Sequence, residues 1–457
     1  MKEQKQWALE SIRQQAGTFG ALSDTIWEYA ELSLKEFQSA ALYEKVLAEN
    51  GFAVTSNMGG IKTAFCGSWG HGHPVIGILG EFDALSGLSQ KAAVARKEEL
   101  VHGGTGHGCG HNLLGAGALA AAYGIKCYLE KTGGSGTVIF YGTPGEEGGA
   151  GKAFMAKEGI FRDLDCALTW HPADSNEVVA GTCNSCIQTL YKFRGTAAHA
   201  AGDPEDGRSA LDAMELMNVG VQYLREHVKS DARIHYAIVD GGGLSPNVVQ
   251  PTASVLYMVR SCLVKDALAL QERVDKIARG AAMMTETQVE KIFIDGCSNT
   301  VPNHTLEQVL QKNFEELGLP DYTAEEEELA AALRLTYNPA GGEGLKHTLT
   351  PLCTEPRFSP GSTDVGDVSW ETPTAQIHAV CFPAGAPGHS WQNVSAGRSS
   401  FAYKGMLKAA EVLCAAAIDL YEDPALRQAA REEFEKAAVD GYTCPIPPEE
   451  QPKAIEI

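Results

Sequence analysis

A chain of 457 residues is longer than one hydrophobic core usually serves, which predicts two or more domains. Its hydrophobic fraction of 44% and charged fraction of 21% are those of a globular protein. A formal net charge of −21 argues against nucleic acid or an anionic membrane as a partner.

The first stretch, MKEQKQWALESIRQQ, reads as a polar amphipathic helix and lacks the apolar core of an export signal. No apolar run reaches membrane-spanning length, and VLCAAAI is stopped by Asp419. The 12 cysteines have no framework spacing, so they are expected as reduced thiols in a cytoplasmic protein. EFQSAALYEKVLAENGF predicts a helix ending at Gly51. PVIGILGEFDAL, from Pro74, is a continuous apolar run suited to a strand buried on both faces, with Glu81 and Asp83 just past it.

GHGCGHNLLGAG, residues 106–117, places His107, Cys109 and His111 at alternate positions among glycines, ahead of a small-residue helix. Glycines before a helix can cradle phosphate, but no Lys-Ser/Thr follows and the G-x-G-x-x-G order is absent. An imidazole, thiol, imidazole set remains, the ligand chemistry of a transition metal. His107 stays open between a ligand and a loop group.

GTVIFYGTPGEEGG and DCALTWHP then read as apolar strands with polar C-terminal ends. Together these elements predict an α/β catalytic domain, its sheet mixed but largely parallel, with ligands at the strand ends. Residues 186–296 change character: strand, helix, two strands, helix and strand give the βαββαβ order of a ferredoxin-like unit. Because a helix at 305–317, the strand TAQIHAVCF and the helix SSFAYKGMLKAAEVLCAAAIDLY resume the first pattern, 186–296 is an insertion. The outer domain is then 1–185 plus 297–457. Cys183 and Cys186 form a CxxC without a second ligand pair, so they are expected as strand-edge residues. The tail after about Asp440 is expected to be extended.

Five polar clusters thus follow strands or open helices: Glu81 with Asp83, Cys109 with His111, Glu146 with Glu147, His171, and His389 in PGHSW. In a parallel sheet these ends converge, as a metal site requires. Adjacent carboxylates in an apolar-flanked turn repel unless a cation or proton absorbs the charge. One can ligate while its neighbour acts as general base.

GHGCGHN, GTPGEEGGAG, ALTWHP, GTAAHAA, SPNVVQ and APGHSW, in this order, resemble successive motifs of the M20 metallopeptidase/amidohydrolase family, in the branch where cysteine replaces a bridging aspartate. That resemblance implies two divalent metal ions, Zn or Mn, held by Cys109, His111, Glu147, His171 and His389, with Cys109 bridging. It implies Glu146 as general base and His199 as an oxyanion-stabilising group reaching a partner subunit's site. Asn247 and Arg260 would hold the substrate carboxylate, and the insertion would be a lid or dimerisation domain. Family peptidases carry His-x-Asp where this chain has Glu81-Phe82-Asp83, which leaves Glu81 an open ligand. The implied substrate is an N-acyl amino acid, p-aminobenzoyl-glutamate foremost, with an N-acyl-aspartate or dipeptide as the alternative. The implied assembly is a homodimer or a heterodimer with a related subunit. An idle partner subunit is the rival reading, opposed by the presence of every ligand and the base.

Overall fold

Four apolar runs form parallel neighbouring strands in the order Gly136–Gly142, Val75–Gly80, Cys166–Ala173 and Thr374–Val380. The computed structural model describes residues 2–353, 355 and 357–454. Phe65–His71 and then Ala53–Ser56 extend one edge antiparallel, and Glu177–Val179 closes the other, giving a mixed seven-stranded sheet.

Each central strand is covered on both faces, which is why its sequence is continuously apolar. Ile76 and Ile78 face a core shared with the helices His111–Thr132 and Ser400–Glu422. Leu79, next along the strand and in the opposite phase, joins Tyr141, Phe154 and Phe161 on the other side. The small residues of His111–Thr132 let it lie close on the sheet. A Cβ at Gly115 would stand 2.7 Å from the Glu81 carbonyl oxygen, and one at Gly117 would stand 2.7 Å from the Trp170 ring. Trp170 is fully buried and donates its indole N–H to the Leu114 carbonyl at 2.9 Å. This bond sets the helix start, with Cys109 and His111, beside the strand that carries His171.

Residues from Ser185 to Cys297 form a separate antiparallel sheet in the order Gln288–Cys297, Ser185–Arg194, Thr252–Ser261 and Arg233–Asp240. Helices Ala210–Leu224 and Val264–Met284 cover one face, meeting Tyr191, Phe193, Tyr257 and Val259. At the root of this unit Ile187, Ala267 and Phe293 enter the core beneath the large sheet. Cys186 and Cys297 face each other there, Sγ to Sγ at 3.4 Å. The described residues of the tail, 441–454, have neither helix nor strand, yet they are docked. Tyr442 donates to Asp367 at 2.8 Å, and Lys157 donates to the carbonyls of Pro447 and Pro448, each at 3.0 Å. No helix among the described residues is long and apolar enough to cross a membrane.

Candidate metal centre

The glycines around Cys109 are required by close approach and backbone sign. Gly110 sits at φ 80°, and a Cβ there would meet the Phe382 ring at 2.8 Å. A Cβ at Gly108 would stand 2.5 Å from Leu88. Asn393 donates to the Gly108 carbonyl at 3.1 Å and holds the loop. Cys109 therefore lies just ahead of a 22-residue helix, where the helix N-terminus favours a thiolate.

Two donors each ~2.0–2.3 Å from one ion stand roughly 3.3–3.8 Å apart across a tetrahedral angle. Cys109 Sγ lies 3.4 Å from His171 Nε2, and Glu147 lies 3.4 Å from His389 Nε2. Cys109, His111 and His171 form one triad of converging donors; Cys109, Glu147 and His389 form another. Cys109 belongs to both. Buried Glu147 Oε1 has no hydrogen-bond partner, and His111 Nε2 and Glu81 Oε2, 3.2 Å apart, make no well-formed hydrogen bond. Orphaned buried acceptors are costly, so this donor set fits two divalent ions, with Cys109 within reach of both groups. Among the described residues no such group includes Cys183 or Cys186.

The supporting groups fix ring orientation. Asp83 accepts from His111 Nδ1 at 2.9 Å, leaving Nε2 for a ligand, as outer carboxylates do at metal sites. His171 Nδ1 is 2.7 Å from the Pro172 carbonyl, which likewise turns Nε2 inward. The Glu146–Glu147 turn is pinned from both sides. Gly145 N–H donates to Glu36 at 2.9 Å, and Glu147 N–H donates to Asp83 at 3.0 Å. His389 adopts φ 50°, a left-handed conformation that costs a non-glycine residue roughly 1–3 kcal/mol and occurs where function demands it.

Electrostatics at the site are those of a cluster built for added positive charge. Burial, then the charges of Glu81, Glu147 and Asp364, push Glu146 well above the carboxylate range. Burial pushes the Cys109 thiol up and pulls His171 down to about 4. Burial also opposes the His111 cation, but Cys109 and Asp83 outweigh it and raise that group. Bound cations invert this pattern by deprotonating the thiol and carboxyls. Beneath lies fully buried Lys152, 2.7 Å from Glu81 and paired also with Asp364.

Of the expected site residues, Cys109, His111, Glu146, Glu147, His171 and His389 come together, Glu146 forming a third donor group with Glu81 and His111. Arg260 lines the same cleft of about 810 Å³ from the second sheet and donates to Ser362 at 2.6 Å. His199 and Asn247 do not join them. Both are exposed on adjoining loops, tied by an Ala200 N–H to Asn247 carbonyl bond at 3.0 Å. His199 Nδ1 accepts from Ala201 and Gly202 N–H at 3.1 and 2.9 Å, so its ring proton is on the outward Nε2.

His107 turns away from the cluster, its Nε2 3.0 Å from the Ile26 carbonyl, and burial pulls its pKa down to about 4. The unfolded chain protonates histidine near pH 6.5. The folded state is therefore fully favoured above about pH 6.5 and loses that contribution as pH falls towards 4, roughly 3 kcal/mol for the group. Metal-free protein is expected to show this acid limb in urea midpoints, and His107→Gln to reduce it. An identical limb in the variant would assign the titration elsewhere.

The chain matches the description Peptidase family M20/M25/M40 over residues 77–436. It belongs to that family. It is 44% identical to one of the subunits of p-aminobenzoyl-glutamate hydrolase from Escherichia coli K12, with 98% of each chain covered. It is 28% identical to the other subunit of that enzyme, over 50% of this chain and 54% of that one. A dinuclear metal-binding M20 peptidase from Bacillus subtilis shares the fold at 18% identity, TM-score 0.57, covering 90% of this chain and 99% of that one. Family and geometry together make this chain a metal-dependent hydrolase of amide bonds.

Proposed function

We propose that the chain hydrolyses the amide bond of p-aminobenzoyl-glutamate, releasing p-aminobenzoate and glutamate. The observation that carries this reading is the shared donor: Cys109 belongs to two ligand triads, with Glu146 beside His111 at their edge. Zn or Mn suits the mixed thiolate, imidazole and carboxylate set formed by Cys109, His111, Glu147, His171 and His389. When bound, such ions supply Lewis acidity to the scissile carbonyl and lower the pKa of water. Glu146, ligating nothing in either Cys109 triad, takes the proton of the attacking water and returns it to the leaving amine. Arg260, on the facing wall of the cleft, offers paired N–H donors to the free carboxylate of the amino acid. Hydrolysis of a panel of N-acyl-glutamates and N-acyl-aspartates by metal-loaded protein tests this; cleavage confined to the aspartates would reject the glutamate assignment.

A partner subunit completes the reading. The edge strand Arg233–Asp240 exposes Tyr236, Ile238 and Val239. Neighbouring surface on Ala210–Leu224 exposes Leu216, Val219 and Tyr223. Open apolar edges of this kind invite pairing, and the Escherichia coli relatives suggest either a second copy or a related subunit. His199, remote from its own chain's cluster with Nε2–H outward, then stabilises the oxyanion of the partner's substrate. Mixing His199→Ala with Glu146→Gln chains is expected to restore activity in the hybrid dimer, where one site holds both intact groups. Verified hybrids without activity would place His199 outside the reaction. The cytosol is the proposed compartment, because all 12 cysteines are free thiols, including the close Cys186–Cys297 pair.

A further inference from the structure

Side chains two apart along a strand share a face. In the second sheet Tyr257 and Val259 point to the helices, whereas Met258 and Arg260 line the cleft. Phe293 pairs with Thr189, itself opposite Tyr257, on the helix side. Strict alternation would send Asp295 to that side as well. The register instead shifts between Phe293 and Asp295, making Ile294 an extra residue and setting Asp295 opposite Gln188, both lining the cleft. Bulges beside active sites re-aim side chains in this way.

The re-aimed carboxyl gains nothing for stability. Asp295 is 8% exposed, and no side-chain hydrogen bond or ion pair reaches it among the described residues. Burial, then the charge of Asp364, pushes it up to about 7, opposed by Arg260. A buried acid without a partner is costly, so its position calls for a ligand.

We propose that Asp295 and Gln188 form a subsite that accepts a hydrogen bond from an N–H group on the acyl part of the substrate, an aromatic amine being the fitting class. This rests on the amide-hydrolase reading above. Arg260 stands two strands away from Asp295 in the same sheet, about 10 Å across. One wall thereby offers a cation for the amino-acid carboxylate and, apart from it, acceptors for the acyl group. An acyl group ending in a carboxylate or nitro group meets Asp295 with Asp364 behind it and is disfavoured.

The test compares metal-loaded wild type, Asp295→Ala and Asp295→Asn on p-aminobenzoyl-, benzoyl- and p-nitrobenzoyl-glutamate. Wild type is expected to favour the amino over the nitro substrate by about 10–100-fold in kcat/KM, the range of a hydrogen bond to a charged group. In Asp295→Ala that ratio falls towards one. Asp295→Asn keeps part of it, because the carboxamide oxygen still accepts. Asp295→Ala should also melt no lower than wild type, since it removes an unpaired buried acid. An unchanged ratio in Asp295→Ala overturns the subsite. If wild type cleaves no acyl-glutamate, the substrate reading fails separately, and calorimetry decides the subsite. Tighter wild-type binding of p-aminobenzoate than of benzoate, lost in Asp295→Ala, supports it; equal binding by wild type overturns it.

Discussion

Glu146→Gln is expected to keep both metal ions and lose about 10²–10⁴-fold in amide hydrolysis, the usual contribution of a positioned general base. The carboxamide preserves shape, and the two triads that share Cys109 do not include Glu146. What the variant lacks is a group that can carry a proton from water to the leaving amine. Glu147→Gln should behave differently, because Glu147 faces His389 at 3.4 Å within a triad. That change is expected to lower metal content, read by elemental analysis, before any effect on chemistry is considered. Near wild-type hydrolysis by Glu146→Gln would remove it from the mechanism.

The second large effect lies under the site. Lys152 is fully buried between Glu81, at 2.7 Å, and Asp364. Burial works against its charge, but Asp364 and Glu81 outweigh that and raise it. Lys152→Met fills similar space and leaves two carboxylates buried without their cation. Removing one partner of a buried ion group costs about 3–5 kcal/mol. The urea midpoint of the metal-free variant should fall accordingly. An unchanged midpoint would show that Glu81 and Asp364 take up protons in the folded state at no cost.

Lys152 also marks where the sequence becomes silent. In GGAGKAFMAK it reads as an ordinary solvated lysine, and only the fold brings it to Glu81 from the neighbouring strand end. The ligand cluster is legible because apolar runs announce buried strands and parallel strands end together, so chemistry after each run must converge. His171 and the Glu146–Glu147 pair are found that way, while the division of roles within the pair rests on the motif resemblance. Asp83 is visible beside Glu81, but its task of orienting His111 depends on a ring direction no spacing encodes. Asp295 is hidden for a different reason. Period-2 reading assigns it the face of Phe293, and the bulge at Ile294 reverses that assignment. The charged helices Ala324–Leu335 and Pro424–Ala437 carry few buried residues, so their apolar stripes are too thin to announce them. His199 and Asn247 are motif residues whose loops lie together but away from the cluster, and a single chain supplies no reason for their pairing with it.

We propose amide hydrolysis that needs two divalent ions, with Cys109 as a ligand available to both. Metal-free protein titrated with Zn or Mn, with bound metal and release of p-aminobenzoate from p-aminobenzoyl-glutamate followed together, tests it most directly. No release is expected before metal is added, full activity as two ions per chain are bound, and loss of both binding and activity in Cys109→Ala. Hydrolysis by the metal-free protein, or undiminished metal binding and activity in Cys109→Ala, would contradict it.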